Sequence, residues 1–136
     1  MAYDEQADVL YVASTADNEV FKIQHAEATN VSVLKGTLVY NDPAHLHGPL
    51  ALALAPNGHL LTSNGDAINP PVPPQLFSEI VEFTKEGKFI GQLSVDPANG
   101  AAFGIAVARQ TGDSARFAAV NDDDNTIDGL NLNVEK

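Results

Sequence analysis

The sequence contains no cysteine and no tryptophan, a single methionine, and only 7 basic residues against 18 acidic ones. Without cysteine there are no disulfides and no thiolate metal sites, and the redox state of the compartment leaves no mark. The formal net charge of −11 repels phosphate backbones and anionic bilayers, so nucleic acid and membrane are disfavoured as partners. No apolar run approaches the ~20 residues that cross a bilayer. The opening stretch, MAYDEQADVLYVAS, has no basic segment followed by a continuous apolar one and does not read as a signal peptide. A soluble chain is expected, and a leader removed earlier would place it outside the cytoplasm. No Gly-x-Ser-x-Gly elbow, phosphate-cradling glycine loop or dinucleotide fingerprint occurs.

What is present is a core. Over 136 residues the chain is 44% hydrophobic and 18% charged, enough for one folded domain spanning 1–136. Short apolar runs flanked by turn residues dominate: VLYVAS (9–14), HLLTS (59–63) and RFAAV (116–120). Aligned on Tyr11, Leu61 and Phe117, they are the second strands of three similar units. Before each lies another strand and a turn (2–8, 51–58, 104–113), and after each a loop and a third strand (17–23, 78–84, 124–132). Asp17-Asn18 matches Asp124-Asn125, and Glu19-Val20 matches Glu79-Ile80. A fourth strand follows twice, at 36–40 and 88–95, each leading to Asp-Pro at Asp42-Pro43 and Asp96-Pro97. The fold expected is all-β, built of four-stranded antiparallel meanders: blade 1 over about 1–43, blade 2 over about 48–97, and blade 3 over about 103–136, which lacks its outer strand. Such units cannot cover both faces alone, and radial stacking solves the problem. Tyr11, Val12, Leu61, Phe83, Phe89, Leu93, Ile105 and Phe117 read as the core between blades.

The stretches LALAPNGHLLTSNGD, SEIVEFTKEGKFIGQLSVDP and AFGIAVARQ resemble blades of NHL-repeat β-propellers. The resemblance covers nearly the whole chain and implies about three blades, similar to the C-terminal half of a six-bladed ring. It also implies a choice of partners for the open flanks: either a second copy closes the ring as a homodimer, or an N-terminal half of a longer protein does.

Three groups could carry chemistry. His45 and His47, two residues apart before the inner strand of blade 2, would point the same way if extended. With Asp42 they could offer ligands to a divalent metal, calcium or zinc, on the propeller axis; the alternative is a solvated connection. The acidic run NDDDNTIDG, with Asp122 and Asp124, could meet a cation or a basic partner, or be a solvated turn. The proline-rich insertion AINPPVPPQLF, with Pro70, Pro71, Pro73 and Pro74, could dock a protein or line a small-molecule cleft, or act as a stiff lid over Leu76 and Phe77. His59 reads as a turn-flanking residue and His25 as exposed.

The first functional reading is a non-catalytic binding or scaffold module that needs no cofactor and presents its loops to a protein or small ligand. The second, implied by the resemblance, is a metal-dependent lactonase- or lyase-like enzyme with its site on the axis. Phe103 stands where another inward polar ligand would be expected, which counts against catalysis, and no catalytic residue is assigned.

Overall fold

Among the described residues, short apolar runs become eleven strands. The computed structural model describes residues 1–30, 35–65, 75–109 and 114–133. The strands are β1 (Ala2–Asp4), β2 (Val9–Ser14), β3 (Glu19–Gln24), β4 (Thr37–Asn41), β5 (Pro49–Leu54), β6 (Leu60–Asn64), β7 (Glu79–Phe83), β8 (Phe89–Ser94), β9 (Ala102–Arg109), β10 (Ser114–Asn121) and β11 (Thr126–Asn133). They pair in chain order into three antiparallel meanders, β1-β2-β3-β4, β5-β6-β7-β8 and β9-β10-β11. The first strands lie together across the sheets, β5 against both β1 and β9. This is the radial arrangement of propeller blades expected from the repeat.

Turns close where the sequence supplies residues that tolerate the left-handed region. Asp8 and Gly58 occupy it in the first turns of their sheets, and Asn18 and Asn125 in the matching loops between second and third strands. Those two asparagines, at φ of 61° and 59°, show that the first and third sheets share one backbone pattern.

Two cores separate the sheets. Val9, Tyr11, Val20 and Tyr40 of the first sheet pack on Leu52, Leu60, Val81 and Phe83 of the second. Tyr40 stacks on Phe83 with ring centroids 4.3 Å apart. The other face of the second sheet carries Leu61 and Ile80, which meet Ala102, Phe117 and Ala119 of the third. The middle sheet is thus covered on both sides, and the period-2 alternation of strands decides which residue goes where.

Two expectations need correction. Tyr11 and Leu61 face forward, each toward the following sheet, whereas Phe117 faces back toward the middle sheet. Counting from Asn18 and Asn125, the residue equivalent to Tyr11 is Ala118, and Phe117 is equivalent to Leu10. A one-residue slip moves every side chain to the opposite face, and Phe117–Val120 is too uniformly apolar for alternation within it to reveal the slip. Leu93 is 46% exposed rather than core. It holds the place of Tyr40, but across from it Leu130 stands where Phe83 does in the first interface. The smaller side chain leaves a cleft of about 250 Å³ lined by Leu61, Ile80, Leu93, Phe117, Leu130 and Leu132.

Candidate functional site

Antiparallel meanders sort their connections to two ends. At the end where β1, β5 and β9 begin lie Asp17, Glu19, Asp42, Asp96, Asp122, Asp123 and Asp124, with Glu79 buried beneath them. Among the described residues no lysine or arginine lies there: Lys22, Lys35, Lys85, Lys88, Arg109 and Arg116 all sit at or toward the other end. The net charge of −11 is therefore carried mainly by one face of the propeller.

The connection from β4 to β5 crosses this face. It is wound rather than extended: the backbone N–H groups of His45 and Leu46 both donate to the Asp42 carbonyl, at 3.1 and 2.8 Å. The Asp42 carboxylate locks the turn by accepting the Ala44 N–H at 3.0 Å, the Tyr40 hydroxyl at 2.8 Å and the His45 ring at 2.7 Å. The expectation that His45 and His47 point the same way therefore fails, because an aspartate at the head of the segment favours a turn. His45 lies flat on Phe89, centroids 3.8 Å apart. His47 turns inward, 2% exposed, with Nδ1 3.8 Å from Oε1 of Glu79. Asn18 fixes the segment from the first sheet: its amide nitrogen donates to the Leu46 carbonyl, and its oxygen accepts the Gly48 N–H at 2.7 Å.

Around His47 is a buried polar cluster that the sequence did not announce. Glu79 begins β7 at 1% exposure and Asn64 ends β6 at 0%. The Asn64 amide donates to the Glu79 carboxylate at 3.2 Å and to the His45 carbonyl at 2.7 Å. Among the described residues Asn64 Oδ1 is buried without a hydrogen-bond partner, a costly state for an amide oxygen. The available signal was a glutamate in FSEIVEF on the same strand face as Val81 and Phe83, where a buried carboxylate must be matched.

His45, Asp42 and His47 do not form one ligand set: the first two pair with each other and the third faces Glu79. Among the described residues no group of three or more His, Asp or Glu side chains is placed to hold a metal ion. Asp122 and Asp124 are exposed. Asp124 accepts the Thr126 N–H at 3.1 Å, so it shapes its own turn. Pro70, Pro71, Pro73 and Pro74 lie outside the described residues; at the end of that insertion Leu76 is 42% exposed. Phe103, at the start of β9, is 45% exposed and its carbonyl accepts the Ser63 hydroxyl at 2.5 Å. His59 flanks its turn as expected and also pairs with Glu82 at 2.6 Å, and His25 is exposed.

Three aspartates link these loops to stability. The Lys85 ammonium, with the Ala7 N–H, holds the Asp4 carboxyl below its usual range. Burial pushes Asp42 up, but the donors from His45, Tyr40 and Ala44 outweigh it and the net shift is downward. Asp96 is lowered by the Ala98 N–H and the Asn121 amide. A carboxylate with a depressed folded pKa stabilises fully above its unfolded pKa of ~4 and loses that contribution as pH falls through the folded value. The urea midpoint is accordingly expected to be flat from pH 7 to about 5 and to fall between about pH 4 and 2, less steeply in Asp42→Asn. A midpoint that holds or rises on acidification would contradict these shifts.

No protein-family model and no curated protein sequence matches this chain. Among solved structures it is similar to a luciferin-regenerating enzyme, at TM-score 0.60 and 12% identity. The match covers 93% of this chain and 39% of that one, so the chain spans well under half of the longer protein. A likeness at this identity speaks to architecture and not to chemistry. Together with the three meanders fanned about their first strands, it identifies the fold as that of β-propeller blades.

Proposed function

We propose that the chain is a non-catalytic binding module with blades of NHL type, and that its acidic face receives a cationic ligand or a basic segment of a partner protein. One observation carries this reading: seven exposed or half-buried carboxylates at one end, with every lysine and arginine among the described residues at or toward the other. Such a surface raises the local concentration of cations and steers basic partners. Rigid sheets hold loops that are free to vary, which suits recognition. The test is a titration with hexalysine by calorimetry at low and high salt. Binding is expected at low salt and is lost on screening, and Asp122→Asn and Asp124→Asn each weaken it about threefold. Absence of binding at low salt, or binding indifferent to both substitutions, overturns the reading.

A second reading, a metal-dependent hydrolase or lyase, is favoured by the buried acceptor Asn64 Oδ1 beside Glu79 and His47. Those three residues, not His45 and Asp42, would then hold the calcium or zinc, which would supply Lewis acidity. Metal analysis of the chain and of Asn64→Ala decides it: stoichiometric metal that disappears in the variant supports the enzyme, and its absence after dialysis against either ion removes it.

A further inference from the structure

Within this chain the same kind of interface is made twice. The forward face of one sheet packs on the backward face of the next, in the first core and again in the second. Among the described residues two faces are left over, and they are the two halves of one more such interface. On the backward face of the first sheet, cross-strand pairing puts Tyr3 beside Leu10, Leu10 beside Ile23, Val12 beside Phe21 and Phe21 beside Leu38. Leu10 and Phe21 are equivalent to Leu60 and Val81, which are 0% exposed in the middle sheet. On the forward face of the third sheet, Ile127 is 72% exposed, whereas its equivalents Val20 and Ile80 are 0% and 5%.

We propose that a second copy of this chain covers both faces, the backward face of each first sheet seating on the forward face of the other copy's third sheet, so that two chains close one ring. The shapes are complementary. The backward face offers bulky Phe21, Leu10 and Leu38. The forward face offers a depression of about 410 Å³ lined by Ala106, Ala108, Ala118, Gly129, Arg116 and Asn131. The charges match as well. Blades share one polarity, so like ends meet. Exposed Arg116 near the start of β10 then lies at the same end as Asp8 and Glu27, which border Tyr3: its hydroxyl bonds Asp8 at 3.1 Å, and Asp8 accepts the Glu27 N–H at 3.0 Å. At this same end the first and second sheets of one chain are also joined by an ion pair, Asp4 with Lys85 at 2.5 Å.

The experiment is sedimentation equilibrium on the full chain, expected to give twice 14.4 kDa. Ile127→Glu and Phe21→Glu should each give monomers. Leu38→Glu, at a position already 49% exposed, serves if Phe21→Glu loses its β-sheet circular dichroism. Mixing a forward-face variant with a backward-face variant should restore a dimer, because the mixed pair keeps one unaltered interface. That recovery is specific to forward-to-backward packing; two chains joined through identical faces would not regain it. A wild-type chain of 14.4 kDa at high concentration, dimers indifferent to Ile127→Glu, mixing without recovery, or masses that grow without limit would each overturn the closed two-chain ring.

Discussion

Phe83→Ala is expected to cost about 3–5 kcal/mol, the range for emptying a fully buried aromatic site, and to lower the melting temperature by roughly 10–20 °C. Phe83 is 0% exposed. One face of its ring is stacked on Tyr40, at an interplanar angle of 14°, an arrangement worth about 0.5–1.5 kcal/mol beyond area alone. The ring fills the seam between the first and second sheets, so its loss removes contacts on both sides and leaves a void that backbone in register cannot collapse to fill. The repeat supplies an internal control. Leu130 occupies the equivalent place at the second interface, but it is 41% exposed and faces an open cleft. Leu130→Ala should therefore cost under about 1 kcal/mol. Urea denaturation of both variants checks the pair, and equal losses would mean that the two interfaces are not distinguished by packing.

Gly87→Ala is expected to cost roughly 3–4 kcal/mol, most of it from a close approach between sheets. Gly87 lies in the turn between β7 and β8 at φ +83°, and an added Cβ would stand 2.0 Å from the Val39 carbonyl oxygen in β4. The neighbour is backbone of β4, held between the pairings of Leu38 and Tyr40, and not a side chain that could rotate aside. The comparison is Gly58→Ala: at φ +86° the backbone strain is alike, but nothing lies within 4 Å of the new methyl, so only the left-handed penalty of about 1–2 kcal/mol remains. The difference between the two variants in urea measures the contact itself. A Gly87→Ala chain no weaker than Gly58→Ala would show that the first and second sheets are not held as closely as described.

The architecture was legible because each strand is bounded by residues with a local physical reason to turn: Asp8, Asn18, Gly58, Gly87 and Asn125 all take positive φ. Register in the third sheet was less legible. Phe117 drew the alignment because it is aromatic, although the spacing from Asp124-Asn125 pointed to Ala118 as the partner of Tyr11. Side-chain size is a weaker guide to register than a turn that fixes the backbone. The surroundings of His47 were only partly legible. Its neighbours Glu79 and Asn64 come from the near ends of two other strands, and their meeting depends on the pairing of β6 with β7, which no local pattern encodes. Asp42 could have been read as a turn former from Asp-Pro-Ala alone, and that would have separated His45 from His47.

The covering of the middle sheet on both faces has a consequence for how the molecule comes apart. In a stacked array each unit is stabilised by its neighbours as well as by itself. The amides of β6 and β7 can then meet solvent only through global opening, while the outermost strands β4 and β11 release theirs by fraying. Loss of structure runs from the margins inward, and the paired strands β6 and β7 are the last refuge of the native state.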